Sequence, residues 1–126
     1  MMTEQTKTDG VEMPSFLEPL RVALDFDGTF SANPAMFCQV VGMMRKYGAD
    51  VRFVTFRFGS GNNSDIMYWA NSLNLPVLFT EGKQKEPFCE AAGWRPDIWI
   101  DDDTRFIPHV KELEDVAHGC RVNGDI

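Results

Sequence analysis

The sequence predicts an α/β fold in which a mainly parallel sheet lies between layers of helices. Four short apolar runs have the length of strands, and the segments between them carry apolar residues at helical spacing. Each run ends in acidic or hydroxyl side chains or leads to a basic one, as expected where the carboxyl edge of a parallel sheet forms a ligand site. With 126 residues, 44% of them hydrophobic, the chain can form one core. We therefore expect a single Rossmann-like, three-layer domain.

Composition limits the classes of function. The net charge of -7 argues against broad electrostatic binding to nucleic acid or to an anionic membrane. No amino-terminal stretch is apolar enough for a signal peptide or a membrane span, so a cytoplasmic location is expected. Cys38, Cys89 and Cys120 are odd in number and widely spaced, which predicts reduced thiols. Residues 1–14 are polar and predict a flexible tail, which leaves residues 15–126 for the folded domain.

The first predicted strand, Val22–Phe26, contains the most informative acids. Asp25 and Asp27 lie two residues apart, so in an extended segment their side chains point the same way. Gly28 then permits a tight turn. Two carboxylates this close repel each other unless a proton or a cation lies between them. A metal that prefers oxygen ligands is therefore expected here.

The second predicted strand begins at Asp50 and ends in Thr55. A hydroxyl at the carboxyl edge of a strand can donate to a phosphate oxygen, although threonine is also simply a good strand former. Arg57 follows, and its guanidinium would either clamp a phosphate or reach solvent. The glycine-rich loop over residues 58–63 leaves the same edge and would border the mouth of a site there.

The third predicted strand, over residues 76–80, leads to two lysines. Lys83 and Lys85 precede a helix predicted from about Glu86 to Ala92, with Pro87 in its first turn. A cation here would neutralise an acidic site or a phosphate. Lys85 directly precedes the helix and is preferred, with Lys83 as the alternative; read alone, both would be solvated surface lysines.

The fourth predicted strand, over residues 95–100, runs into Asp101, Asp102 and Asp103. Three adjacent acids are costly to bring together, and a divalent cation would compensate for their charge. The third acid could instead cap the following helix, a role for which Thr104 is also suited.

Helix signals occupy the remaining segments. Asn33 and Pro34 suit the N-cap and first position of a helix that ends near Gly48, and Ser64 suits the N-cap of a helix to Leu73. The spacing predicts a last helix over 104–116 and an edge strand over 120–123. His109 and His118 have no partner at ligand spacing and are expected to be structural or exposed.

The order of these groups resembles the four signatures of the haloacid dehalogenase-like (HAD) hydrolases. The first signature is matched by Asp25-Phe-Asp27-Gly28-Thr29, and Thr55, Lys85 and Asp101-Asp102 match the other three in order. The resemblance covers about residues 21–108. The short separations between signatures leave no room for an inserted cap domain, so the chain is similar to a capless member with one HAD-like catalytic domain.

The resemblance implies a phosphatase mechanism. Asp25 would attack phosphorus to form an aspartyl-phosphate, and Asp27 would act as general acid and base. Mg²⁺ would be held by Asp25, Asp101 and the backbone carbonyl of Asp27, with Asp102 supporting it through water. Thr55 and Lys85 would complete the catalytic group. The residues expected to contact the substrate phosphate are Gly28, Thr29, Thr55, Arg57 and Lys85.

Two other functions compete with phosphomonoester hydrolysis. One is a catalytically idle HAD-like scaffold that acts as a binding or regulatory protein. The other is a phosphoryl-accepting receiver domain. In receiver domains an acidic pair comes first and a lone acceptor aspartate follows in mid-chain, whereas this chain has Asp-x-Asp-Gly-Thr first and its acid cluster last, so this function is disfavoured. Without a cap domain, the mouth of the active site would be open. It would admit a small phosphate ester as readily as a phosphorylated macromolecule or the end of a nucleic acid. The sequence leaves the oligomeric state open, and a neighbouring subunit could supply a lid.

Overall fold

The computed structural model describes residues 7–8, 11–12 and 18–108. Strands β1 and β2 form a short antiparallel pair, Lys7–Thr8 with Val11–Glu12. The main sheet has four parallel strands in the order β5-β4-β3-β6. Their bounds are Arg21–Leu24 for β3, Asp50–Thr55 for β4, Val77–Phe79 for β5 and Ile98–Ile100 for β6. The predicted α/β architecture is confirmed, with a sheet that is entirely parallel.

Three helices connect the parallel strands and are divided between the two faces of the sheet. They are α1, Pro34–Lys46; α2, Ser64–Leu73; and α3, Lys85–Ala91. Residues of α1 and α2 pack with one face of β3 and β4 in a first core cluster. Cys89 of α3 packs with Ala23 and Val54, which point to the other face. This arrangement is compatible with a Rossmann-like fold.

The strand order reverses between β3 and β6. From β3 the chain adds β4 and then β5 on one side, whereas α3 carries it back so that β6 pairs with the other side of β3. In open parallel sheets such a reversal leaves a crevice beyond the carboxyl ends of the two strands. Asp25 follows β3 and Asp101 follows β6, so both acids lie at this crevice.

The helix boundaries follow the predicted signals, except that α3 begins at Lys85, one residue earlier than predicted, and that the cap of α2 differs. Asn33 caps α1, since its side chain accepts a hydrogen bond from the backbone N–H of Met36 at 3.1 Å, and Pro34 is the first helical residue. The prediction that Ser64 caps α2 is wrong. Ser64 is already helical, and its hydroxyl bonds the side chain of Asn62 instead of the helix backbone.

Asp103 caps a short 3-10 helix, Thr104–Phe106, by accepting a hydrogen bond from the N–H of Arg105 at 3.2 Å. Of the two predicted caps, the structure thus has Asp103 and not Thr104. The remainder of the predicted last helix, the predicted edge strand, both histidines and Cys120 lie outside the described residues. So does most of the predicted flexible tail, apart from β1 and β2.

Over the described residues, no helix combines the length and the apolar character that crossing a membrane requires. The two cysteines that the structure describes, Cys38 and Cys89, are free thiols.

Aromatic rings fill the core beneath β3 and α1. Phe30 is completely buried, and its ring centroid lies 5.2 Å from that of Phe53 and 5.4 Å from that of Trp69. Phe26, immediately after the acid Asp25, stacks on the same ring at 5.7 Å. The segment that carries the acids is therefore anchored from below by aromatic packing.

Replacing Phe30 should test this anchor. We expect Phe30→Ala to lower the free energy of unfolding by about 3 to 5 kcal/mol, because it empties a closely packed ring site. Met43→Ala, on the exposed face of α1, is the control and should change it by no more than about 0.5 kcal/mol. Chemical denaturation measures both, and similar losses in the two variants would contradict the account.

Candidate active site

An open cleft of about 220 Å³ lies at the crevice between β3 and β6. It is lined by five carboxylates, one ammonium and two aromatic rings. These belong to Asp25, Asp27, Asp101, Asp102, Asp103, Lys85, Phe56 and Phe106. Sheet topology therefore brings together residues that are as far apart in sequence as Asp25 and Phe106.

Asp25 continues the pairing of β3 with β6 by one residue. Its backbone N–H donates to the carbonyl of Ile100 at 2.9 Å, which fixes the backbone at the floor of the cleft. The residue is only 7% exposed. A carboxylate held in this way is well placed to react but is poorly solvated.

Lys85 lies between two carboxylates. It is the first residue of α3 and is 2% exposed. Its Nζ donates to Oδ1 of Asp25 at 2.9 Å and to Oδ2 of Asp101 at 2.5 Å. Lys83, the alternative considered from the sequence, is exposed and does not line the cleft. The buried cation of this site is therefore Lys85.

Thr29 joins the two ends of the acidic cluster. Its Oγ1 lies 3.0 Å from Oδ2 of Asp25 and 3.1 Å from Oδ1 of Asp102, and it accepts the backbone N–H of Asp102 at 3.0 Å. The predicted substrate contact through this hydroxyl stays a prediction. Here the hydroxyl stabilises the protein's own carboxylates.

Gly28 allows the loop after β3 to approach Asp102. Its φ is +79°, and a Cβ built there would lie 2.6 Å from Oδ2 of Asp102. Both the left-handed backbone and the close approach require glycine. The backbone N–H of Gly28 donates to Oγ of Ser31 at 2.9 Å.

Thr55 lies deeper than the other predicted site residues. Its side chain is fully buried, does not line the cleft, and accepts the backbone N–H of Arg57 at 3.3 Å. The structure thus places Thr55 beside the site, at the end of β4, without bringing its hydroxyl into the cleft.

Arg57 neither reaches freely into solvent nor contacts the buried acids. Its guanidinium forms two hydrogen bonds with Asp27, at 2.9 and 2.7 Å, and two with Asp65, at 2.7 and 2.9 Å. It also lies 5.3 Å from the centroid of the Phe26 ring. Asp27 is therefore held at the rim by a bidentate ion pair.

Sequence reasoning missed several residues of this site. Asp65 pairs with Arg57, which lowers the pKa of Asp65 to about 2, but in the sequence it appears only as an acid in the first turn of α2. Phe56 and Phe106 line the cleft, although each appears in the sequence only as another apolar residue. The available signal was that Phe56 directly follows Thr55 at the end of β4 and that Phe106 lies three residues after Asp103.

Burial and neighbouring acids make Asp25 a weak acid. Burial of the carboxyl raises the pKa of Asp25 to about 7, despite the opposing hydrogen bond and charge of Lys85. A hydrogen bond with Asp102 and the charge of Asp101 also raise it. The same hydrogen bond lowers the pKa of Asp102. Without a further cation, the Asp25 carboxyl therefore holds its proton at pH values below about 7.

The donor set suits a divalent cation. Carboxylate oxygens of Asp25, Asp101 and Asp102 lie within 4.8 Å of one another, and Lys85 supplies only one positive charge to these three groups. All three ligands offer oxygen, which Mg²⁺ prefers over the nitrogen and sulfur ligands typical of zinc. The residues present therefore fit a magnesium ion, whose charge would replace the proton of Asp25.

Comparisons of the chain with protein-family models, with curated proteins and with solved structures found no match.

The close approach of Gly28 to Asp102 can be tested with a pair of glycine variants. Gly28→Ala and Gly48→Ala both place a side chain on a left-handed backbone, with φ of +79° and +92°, and each should cost about 1 to 2 kcal/mol of stability. Only Gly28→Ala displaces the Asp102 carboxylate, because nothing lies within 4 Å of a Cβ at Gly48. Calorimetric titration with Mg²⁺ should therefore show weaker binding for Gly28→Ala alone. Equal binding by both variants would contradict this geometry.

The raised pKa of Asp25 predicts a pH dependence in the metal-free protein. Between its ordinary value of 3.8 and about 7, this carboxyl holds a proton in the folded state and loses it on unfolding. The stabilisation is therefore complete below 3.8 and is lost as the pH rises toward 7. Denaturation in chelator should show the stability of the natural chain falling, relative to Asp25→Asn, across this interval. A constant difference between the two proteins would contradict the prediction.

Proposed function

We propose that this chain is a Mg²⁺-dependent phosphomonoester hydrolase of the capless HAD-like type. The observation that carries the proposal is the buried contact of the Lys85 ammonium with both Asp25 and Asp101, at the point where the strand order reverses. A nucleophilic carboxylate, a buried cation and a metal-binding set of acids meet there in an open cleft. These are the groups that phosphoryl transfer through a covalent intermediate requires.

Asp25 acts as the nucleophile in this mechanism. Its carboxylate oxygen forms a bond to phosphorus as the bond from phosphorus to the ester oxygen breaks, which gives an aspartyl-phosphate and the free alcohol. Lys85 holds the carboxylate in place and offsets negative charge on the phosphoryl oxygens. Water then hydrolyses the aspartyl-phosphate, which releases inorganic phosphate and restores Asp25.

Asp27 supplies the proton transfers. It donates a proton to the leaving oxygen and later accepts one from the attacking water. Its side chain is more than half exposed at the rim, where a leaving group would emerge. In the structure Arg57 donates to both carboxylate oxygens of Asp27. At least one of these hydrogen bonds must therefore break when Asp27 takes up a proton.

Magnesium, held by Asp25, Asp101, Asp102 and the carbonyl of Asp27, would supply positive charge for the phosphoryl group and lower the proton affinity of Asp25. Asp101 is pre-oriented for this role, because its Oδ1 accepts the N–H of Asp103 at 3.0 Å. The connections between β3, β4 and β5 each contain a single α-helix, which supports an active site without a cap domain.

A binding or regulatory scaffold is the second candidate function. The bidentate pair between Arg57 and Asp27 favours it, since a carboxylate bonded on both oxygens is not ready to protonate a leaving group. The same hydrolysis assay distinguishes the two functions.

The test is phosphate release from a panel of phosphomonoesters with Mg²⁺ or with chelator. We expect release that depends on Mg²⁺ and falls by at least about a thousandfold in Asp25→Asn, because the amide cannot act as the nucleophile. Asp97→Asn is the matched control, since Asp97 pairs with Arg21 at the opposite edge of the sheet. It should retain activity.

Full activity in Asp25→Asn, or activity unaffected by chelator, would contradict the proposed mechanism. Binding of Mg²⁺ without turnover of any ester would favour the scaffold function.

A further inference from the structure

The cleft has an acidic floor and an aromatic wall. Phe56 directly follows β4, and Phe106 ends the 3-10 helix after β6. Their ring centroids lie 4.7 Å apart with the planes inclined by 44°, and both rings are half-buried. They line the same cleft as Asp25, so a group bound at the acidic floor shares the cleft with both rings.

These two rings are not part of the described core. Phe26, Phe30 and Phe53 belong to the cluster beneath the sheet, whereas Phe56 and Phe106 belong to neither of the two core clusters found among the described residues. The backbone next to Phe106 is fixed to α3, because the N–H of Glu86 donates to the carbonyl of Ile107 at 2.7 Å. A fixed, partly exposed pair of rings beside a reactive carboxylate is suited to stacking on a planar ligand.

The charges around the cleft limit the charge that the ligand can have in addition to its phosphoryl group. Five carboxylates line it, and Lys85 is buried between two of them. The two arginines that contact cleft carboxylates, Arg57 and Arg105, are both paired with aspartates. Within the described cleft no unpaired cation remains for a second anionic group, so a leaving group without charge is favoured.

The volume of the cleft limits the size of the ligand. At about 220 Å³ it is smaller than the roughly 300 Å³ from which pockets for drug-sized ligands begin. It exceeds the roughly 150 Å³ of a cavity that holds one benzene ring. A phosphoryl group and one ring therefore fit, with anything larger extending through the open mouth.

From these observations we infer that the substrate is an aryl phosphomonoester whose uncharged ring stacks on Phe56 and Phe106. The inference rests on the proposed hydrolase function and specifies its substrate class. In the reaction Asp25 bonds to phosphorus as the bond to the aryl oxygen breaks, and the phenol leaves with a proton from Asp27. Hydrolysis of the aspartyl-phosphate then yields inorganic phosphate.

Binding of two phosphonates, which are not hydrolysed, tests the wall separately from the chemistry. We expect phenylphosphonate to bind the Mg²⁺-loaded protein about tenfold more tightly than methylphosphonate, as ring stacking and burial would give. Phe56→Leu and Phe106→Leu keep an apolar side chain and remove the ring. Each should reduce this ratio by roughly three- to tenfold, as measured by calorimetry, with little change in the affinity for methylphosphonate.

Tyr47→Leu is the matched control, because this exposed ring follows α1 at the amino edge of the sheet. It should leave the ratio unchanged. Equal affinities for the two phosphonates in the natural chain, or equal losses in Tyr47→Leu and the wall variants, would overturn the inference. If alkyl esters are hydrolysed and the ring gives no gain, the inference fails while the hydrolase function stands. The hydrolysis of phenyl phosphate compared with that of phosphotyrosine in a short uncharged peptide distinguishes a free aryl ester from a protein-borne one.

Discussion

The ion pairs of Lys85 with Asp25 and Asp101 are the interaction on which the site depends. They tie the first residue of α3 to the ends of β3 and β6, so one buried ammonium connects three elements that are distant in sequence. A buried ammonium is costly to desolvate unless carboxylates surround it, and buried carboxylates are costly without a cation. The single positive charge of Lys85 does not balance the negative charge of the three carboxylates of Asp25, Asp101 and Asp102. The protein therefore stabilises a cluster that still lacks positive charge, which is the condition under which a divalent metal binds.

The topology of the sheet converts this local chemistry into a site. Because the strand order reverses at β3 and β6, the acids at their carboxyl ends face a crevice instead of a packed neighbour. Phe30 and the rings around it anchor the turn after β3 from below, while Thr29 joins Asp25 to Asp102 above it. Support on both sides fixes the relative positions of the carboxylates, as the proposed phosphoryl transfer would require.

Local patterns in the sequence predicted those parts of the molecule that depend on local physics. The four strands, the cap at Asn33 and the acids that end β3 and β6 follow from hydrophobic runs and turn chemistry, and the structure has all of them. Side-chain contacts between different elements of the fold could not be predicted in the same way. Whether Arg57 reaches solvent, a substrate or Asp65 depends on how α2 packs, and Ser64 did not cap α2 because the preceding loop holds its hydroxyl. The aromatic wall likewise requires the segment after β6 to return to the start of α3, where the N–H of Glu86 donates to Ile107.

The most direct test of the central claim, that the acidic cluster is a cation site coupled to the proton of Asp25, is calorimetric titration with Mg²⁺ in buffers of different ionisation enthalpy. We expect one saturable site whose occupation releases protons below about pH 7, where Asp25 holds its proton, and releases few at higher pH. Asp101→Asn should weaken binding, and Asp97→Asn should not. The absence of saturable binding, or binding without pH-dependent proton release, would contradict the account.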